Sequence, residues 1–271
     1  MKKGIDVSTW QGEIDWNKVK SNIDFAILRG GYGFDSVDGQ FHRNASECTR
    51  LGIPFGVYWF SYALNVSEAI KEAQFCHETI KKYSIKYPVC YDWEYDSDSY
   101  ANKCGVRITN NLRAEFAKAF LNQIEKYGYY AMLYTNYDYL NKGFSSLLGV
   151  YDIWWAQWGV ASPSKGCGIW QAADNWNIPG INGRVDGNIS YRDFPAIIKA
   201  MQSGEKYYNL TQSIKNKAIA ALSEEWWNRY NEAANDVIKG KYGNGSARED
   251  ALKKAGFDYD VVQNLVNAYL E

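Results

Sequence analysis

The sequence predicts an α/β protein: an irregular β/α barrel domain followed by a small all-helical C-terminal module. Three observations carry that expectation. Short apolar, β-prone runs recur through the first two hundred residues, and amphipathic helical patterns separate at least the first five of them. After Ile198 the texture changes to polar connections and short helical segments. The strand candidates begin with Gly4-Ile5-Asp6-Val7 and Phe25-Ala26-Ile27-Leu28-Arg29, then Pro54 to Trp59 and Val89 to Glu94. Ala131 to Tyr134, Ile153 to Trp158, Ile169 to Gln171 and Val185-Asp186 complete the set. Between the early ones, Ser67 to Lys82 opens with a Ser cap and an early Glu. Thr109 to Tyr127 carries apolar residues at helical spacing. Helices are short or missing after Trp158, so the second half of a parallel barrel is expected to be irregular.

The 271 residues suffice for one large domain with a small appendage, or for two medium domains. A net charge of -1 gives no basic footprint for nucleic acid or an anionic membrane. No run of about 18 apolar residues occurs, so no membrane insertion is expected. The 5 cysteines are Cys48, Cys76, Cys90, Cys104 and Cys167; an odd number without CxxC spacing argues for reduced thiols rather than a disulfide framework or a zinc site. With only His42 and His77 as histidines, a multi-histidine metal site is excluded, and no cofactor or metal is expected. Aromatic residues make up 16% of the chain, with 22 Tyr and 11 Trp, which suits either a large aromatic core or stacking on sugar rings.

The stretch Tyr91-Asp92-Trp93-Glu94-Tyr95-Asp96 alternates carboxylates with aromatics at the end of a buried strand. On a strand, residues i and i+2 lie about 7 Å apart on one face, so Asp92 and Glu94 point together and Trp93 points away. Two adjacent acids repel, and one of them is expected to hold its proton at neutral pH. That is the arrangement for protonating a leaving group beside a carboxylate that stays charged. Asp6, Asp92, Glu94, Tyr134, Gln157, Gln171 and Asp186 all sit at or near the C-terminal ends of strand candidates, the rim on which barrel active sites are built. Asp96 gains no role and reads as a loop carboxylate.

These residues carry a resemblance. Gly4-Ile5-Asp6-Val7-Ser8 with Trp10-Gln11-Gly12, then Gly56 to Phe60, the Asp92-Trp93-Glu94 strand end and Tyr134-Thr135 resemble glycoside hydrolase family 25. Trp155-Ala156-Gln157-Trp158, Trp170-Gln171 and Val185-Asp186-Gly187-Asn188 extend that likeness to the bacterial and phage muramidases called Chalaropsis-type lysozymes, over about residues 1–200. The resemblance implies hydrolysis of the β-1,4 bond between N-acetylmuramic acid and N-acetylglucosamine in peptidoglycan. Glu94 is the expected general acid, its proton held by Asp92 and by aromatic walls such as Tyr58, Tyr62 and Trp155. Tyr134, Gln157 and Gln171 are the further expected substrate contacts. Asp92 is expected to stabilise an intermediate formed by the substrate's own N-acetyl group, giving retention. Direct displacement involving Asp6 or Asp186 stays open, because sequence carries no inter-strand carboxylate distance.

The tail, residues 231–271, resembles the Cpl-7-type cell-wall-binding repeat of phage lysins, with Asn235 to Gly245, Arg248, Leu252 and Ala255 to Tyr259 matching its core. Tyr242 stands where that repeat more often has Trp. Three helical segments are expected, Ala233 to Lys239, Arg248 to Ala255 and Asp260 to Leu270, with Tyr242, Gly243, Asn244 and Arg248 as candidate wall contacts. Residues 201–230 read as a linker, Met201 to Leu210, and a connecting helix, Ile214 to Asn231. One repeat copy limits avidity unless the protein oligomerises, for instance as a dimer. No apolar leader follows Met1-Lys2-Lys3, which fits an endolysin made in the host bacterial cytoplasm that reaches a Gram-positive wall after release. A secreted autolysin of the same activity and a non-catalytic wall-binding protein on a degenerate barrel are the alternatives.

Overall fold

The computed structural model describes residues 1–202, 224–257, 259, 262, 263, 266 and 267. The chain begins with β1 (Lys2–Val7), α1 (Trp16–Val19), β2 (Phe25–Tyr32), a two-residue β3 (Ser36–Val37) and α2 (Phe41–Leu51). There follow β4 (Phe55–Phe60), α3 (Val66–Ile80), β5 (Val89–Asp92), α4 (Tyr95–Lys103), α5 (Asn110–Lys126), β6 (Ala131–Asn136) and α6 (Tyr137–Asn141). The barrel finishes with β7 (Asp152–Ala156), β8 (Ile169–Trp176), β9 (Val185–Ser190) and α7 (Phe194–Gln202). The strands run in the order β1-β9-β8-β7-β6-β5-β4-β2-β3, and β1 also pairs with β2. The sheet therefore closes into an eight-strand barrel, with β3 hanging on β2 as a hairpin.

Closure is not all parallel, which corrects the expectation for the last strand. β9 runs antiparallel to both β8 and β1. The connection over residues 177–184 carries no helix, and a link that short joins antiparallel neighbours, whereas a parallel return needs a crossover of about a dozen residues or more. Asp186 consequently lies at the N-terminal end of its strand. Because β9 is inverted, that end meets the same rim as the C-terminal end of β1, with Asp6 paired directly to Asp186.

Strand alternation sorts the core into two layers. Outward residues such as Val7, Leu28, Val57, Trp59, Tyr91, Leu133 and Trp155 share one cluster with buried helix residues, among them Phe116, Phe120 and Leu121 of α5. Inward residues Phe25, Ile27, Cys90, Met132, Trp154 and Ile169 fill the barrel. The bottom is closed by α7. Phe194 packs on Tyr87 at 5.4 Å, and Tyr87 stacks on Phe25 at 4.3 Å. Truncating a fully buried Phe of this kind costs about 3–5 kcal/mol. Met201, read from sequence as the start of a linker, is instead buried in the last turns of α7 among these residues.

Two further local differences have plain causes. The cap of α3 is Asn65, not Ser67: its side chain accepts the Glu68 N–H at 3.0 Å, and Glu68 accepts the Leu64 N–H in return. Helix α4, whose sequence YDSDSYANK has no apolar stripe, was not anticipated; Asp96 and Asp98 in its first turn favour it through the helix dipole. Asp96 is thus helical rather than in a loop.

In the tail, α8 (Glu224–Ile238) and α9 (Ser246–Lys254) pack as a separate small core of Tyr230, Ala233, Ala234, Val237, Leu252, Val262 and Val266. Helix α8 runs unbroken through residue 231, so the expected connecting helix and first tail helix are continuous over residues 224–238. The expected linker from 203, the start of the connecting helix and most of the third tail helix lie outside the described residues. Among the described residues, no helix is long and apolar enough to cross a membrane.

Candidate active site

Four carboxylates meet at the open end of the barrel. Asp6 ends the inward face of β1, Asp92 ends β5, Glu94 is the cap residue of α4, and Asp186 opens β9. They form two hydrogen-bonded pairs, Asp6 with Asp186 and Asp92 with Glu94, and the pairs feel each other: Asp6 raises Asp92, and Asp186 raises Glu94.

The first pair rests on amides. Asp6 Oδ2 accepts from Gln171 Nε2 at 3.0 Å and from Asn188 Nδ2 at 2.7 Å. Both amides are oriented from behind. Tyr134 Oη and Trp158 Nε1 donate to Gln171 Oε1 at 3.1 and 3.3 Å, and Trp154 Nε1 donates to Asn188 Oδ1 at 2.7 Å. Burial pushes Asp6 up to about 6 against the pull of those donors. Burial and the neighbouring Asp6 push Asp186 up to about 8. Near neutral pH Asp186 therefore keeps its proton and donates it to an ionised Asp6.

The second pair rests on backbone and packing. Burial, then Glu94, then Asp6 raise Asp92 well above the carboxylate range, while Arg29 opposes them. Burial, Asp186 and Asp96 raise Glu94, while the hydrogen bond from Asp92 lowers it, so the shared proton rests on Asp92. The Asp92 carbonyl accepts the Ser61 N–H at 2.8 Å, and Asp92 Oδ1 is buried and receives no N–H or hydroxyl donor among the described residues. Between the two acids, Trp93 turns outward against Phe116 and donates Nε1–H to Asp98 at 3.1 Å. Asp98 also receives Arg113 at 2.8 Å and Tyr139 Oη at 2.9 Å. This network holds the strand end so that both acids face inward. Arg29, the cation that opposes the rise of Asp92, is itself paired to Asp38 at 2.7 Å, so the four acids cannot all ionise together.

The expected contacts divide. Tyr58 and Tyr134 face the barrel interior beside Trp154, with ring centroids 5.9 and 4.7 Å from it, and Gln171 is buried on Asp6. Tyr62 stands in the loop after β4, in edge contact with Tyr32 and Tyr100. Trp155 is a correction: strand parity sends it into the helix-facing layer, and Trp154 takes the inward position. Gln157 is another, because its side-chain oxygen is occupied by Trp155 Nε1 at 2.9 Å and the Ser164 N–H at 2.8 Å, which fold its own loop. Sequence reasoning missed Arg29, Trp154 and Asn188 in the site. Alternation within β2, β7 and β9 was the available signal; Asp98, distant in logic though near in sequence, offered none.

In the tail, Arg248 donates to the Gly243 carbonyl at 3.0 Å, to Asn244 Oδ1 at 2.9 Å and to Gln263 Oε1 at 3.0 Å. Its guanidinium pins the turn. Gly243 and Asn244 stay exposed, and Tyr242 is half-buried against the tail core.

A β/α barrel with paired, mutually raised carboxylates on its rim is the layout of a glycoside hydrolase. The chain belongs to glycosyl hydrolases family 25, whose model matches residues 5–181, and it carries a CW_7 repeat, matched over residues 231–270. It is 28% identical over 204 residues to Lysozyme M1 of Streptomyces globisporus, covering 69% of this chain and 66% of that protein. It is 23% identical over 228 residues to the Lysozyme of Streptococcus phage Cp-7, covering 79% of this chain and 55% of that one. Among solved structures, the modular autolysin LytC from Streptococcus pneumoniae in complex with synthetic peptidoglycan ligand superposes with a TM-score of 0.61 at 29% identity, over 70% of this chain and 46% of LytC. The match thus spans no more than two-thirds of the length of any of these three relatives.

Proposed function

We propose that the protein is a peptidoglycan hydrolase of the muramidase type, cleaving the β-1,4 bond between N-acetylmuramic acid and N-acetylglucosamine. The observation that carries this reading is the hydrogen-bonded Asp92–Glu94 pair facing Asp6 and Asp186 at the barrel mouth, in a chain of this family. Glu94 is the more accessible member and delivers the pair's shared proton to the glycosidic oxygen; Asp92, which holds that proton at rest, passes it along their hydrogen bond and is then left charged. Two carboxyls in direct hydrogen-bond contact are closer than the about 5 Å that a nucleophile and an acid need to straddle a sugar. That favours substrate assistance, with the N-acetyl group attacking the anomeric carbon and the buried Asp92 Oδ1, which receives no N–H or hydroxyl donor among the described residues, accepting its N–H. Asp6, fixed by two amides, orients and polarises rather than attacks. The Tyr134 ring, beside Trp154, and Tyr58 form the apolar floor for the reacting sugar.

The tail is a wall-binding module through the exposed Gly243–Asn244 turn beside Tyr242, and the partner is bacterial peptidoglycan, a Gram-positive wall by preference. Release into the wall from the host cytoplasm, as for an endolysin, fits this pairing. Mass spectrometry of muropeptides released from a Gram-positive wall, with reducing-end analysis, tests the activity: reducing muramic acid ends are expected, and reducing glucosamine ends would refute it. Retained anomeric configuration in the first-formed product is expected, and inversion would exclude substrate assistance. Deleting residues 224–271, which removes α8 whole, is expected to weaken retention on walls more than turnover on soluble fragments.

A further inference from the structure

On the same rim, beyond the catalytic acids, lies a cavity of about 530 Å³ that the reaction does not use. Its walls come from three successive strand ends: Tyr32 and Asp35 after β2, Tyr62 after β4, and Asp96, Tyr100 and Lys103 from α4 after β5. The β4 and β5 ends are paired, Phe60 to Asp92, so the cavity adjoins the cleavage point. Tyr62 meets Tyr32 at an interplanar angle of 88° and Tyr100 at 62°, with centroids 6.1 and 5.0 Å away. Rings set edge to face build a corner rather than a flat platform. A sugar ring stacks best on an open, flat aromatic face, whereas a corner of tyrosines suits a compact cation.

The rings on this side already take cations. Arg29 lies 5.9 Å from the Tyr32 centroid, and Lys71 lies 5.8 Å from that of Phe34 at the cavity edge. Two carboxylates, Asp35 and Asp96, and one ammonium, Lys103, line the same space. The lining is therefore amphoteric, with acids in excess among the residues that face the cavity. Sugar hydroxyls can hydrogen-bond to these groups but carry no charge to match them. The peptide stem that hangs from the lactyl group of each muramic acid has such charges: its diamino acid carries an ammonium and its terminus a carboxylate.

We propose that this cavity binds the peptide stem of the substrate, with the free ammonium of the stem's diamino acid held in the Tyr32–Tyr62–Tyr100 corner against Asp35 and Asp96, and a stem carboxylate facing Lys103. The proposal rests on the muramidase reading of the adjoining acids and names what that site recognises beyond sugar. It makes the enzyme a reader of uncrosslinked stems, because crosslinking consumes the diamino acid's free amine.

The test uses the full chain and uncrosslinked glycan strands in three forms: stem-bearing, stripped of stems by an amidase, and stem-bearing with the free amines N-acetylated. Released reducing ends give kcat and KM for the wild type, Asp35→Asn and Tyr100→Leu. Both variants are expected to raise KM about 2- to 5-fold on stem-bearing strands, the scale of an exposed cation–π contact, with kcat unchanged. On stripped strands neither variant differs from the wild type. N-acetylation raises the wild-type KM by a similar factor and removes the difference between wild type and variants. Equal losses on stripped and stem-bearing strands would overturn the proposal and make the cavity a sugar subsite. A wild-type KM indifferent to stem removal and to N-acetylation would overturn it as well. A wild type inactive on all three substrates sinks the muramidase reading itself, a different result from an active enzyme blind to the stem.

Discussion

The two carboxylate pairs at the barrel mouth are alike in composition and opposite in construction. Asp6 and Asp186 come from neighbouring antiparallel strands, and side-chain amides already saturate one Asp6 oxygen. Asp92 and Glu94 come from one strand end, are aimed by a tryptophan behind them, and leave one Asp92 oxygen without an N–H or hydroxyl donor among the described residues. A carboxylate held by fixed donors is an electrostatic fixture. A buried carboxylate oxygen without a donor is a site waiting for one, and an N-acetyl N–H is such a donor. On the proposed reading, chemistry falls to the second pair and support to the first.

Removing the acid should break the active pair most completely. Glu94→Gln keeps the shape of the cap residue but carries no transferable proton, so kcat on purified walls is expected to fall by about 10³-fold or more, with the circular dichroism spectrum and Tm near wild type. Asp92→Asn comes next, at about 10²- to 10³-fold in kcat; near wild-type activity in that variant would erase the distinction drawn between the pairs. Trp93→Phe preserves the outward packing but deletes the N–H to Asp98. It should lower kcat several-fold with KM unchanged, and cost about 1 kcal/mol of stability by denaturant titration.

The smallest effect belongs to the supporting pair and reads out in stability rather than rate. Asp186 and Asp6 have folded-state pKa values pushed up to about 8 and about 6, from an ordinary 3.8. Between those values the folded chain binds more protons than the unfolded one, so the stability they contribute is complete below about pH 4 and is lost as pH rises toward 8. Asp186→Asn removes part of that loss. Its Tm is expected to exceed that of the wild type by a few degrees at pH 8 and to match it at pH 4, while activity falls less than in Asp92→Asn.

Much of this was legible along the chain. Strand order, the helices α3 and α5, and the inward turn of Asp92 and Glu94 follow from local alternation and periodicity, which act over a few residues and survive in the sequence. Placement at the ends of apolar runs brought in Asp6 and Asp186, but not that the strand of Asp186 is inverted, because direction depends on what a short connection over residues 177–184 permits in space. Trp155 shows the limit sharply. Its neighbour Trp154 is chemically identical, and only the register against β6, Tyr134 beside Trp154, decides which of the two indoles faces the barrel interior. Gln157 was misread for a related reason: a polar residue at a strand end points to a site only if its hydrogen bonds are not already used by its own loop.

By itself, then, the sequence determined that a barrel would form and which residue types would crowd its rim, since those follow from apolar period and the chemistry of carboxylates. Which acids share a proton, which oxygen is left open, and which tyrosines enclose a second cavity were decided only by tertiary structure. Pairing across strands is set by register and strand direction, and the energy of a charge depends on burial and on neighbours far away in the chain.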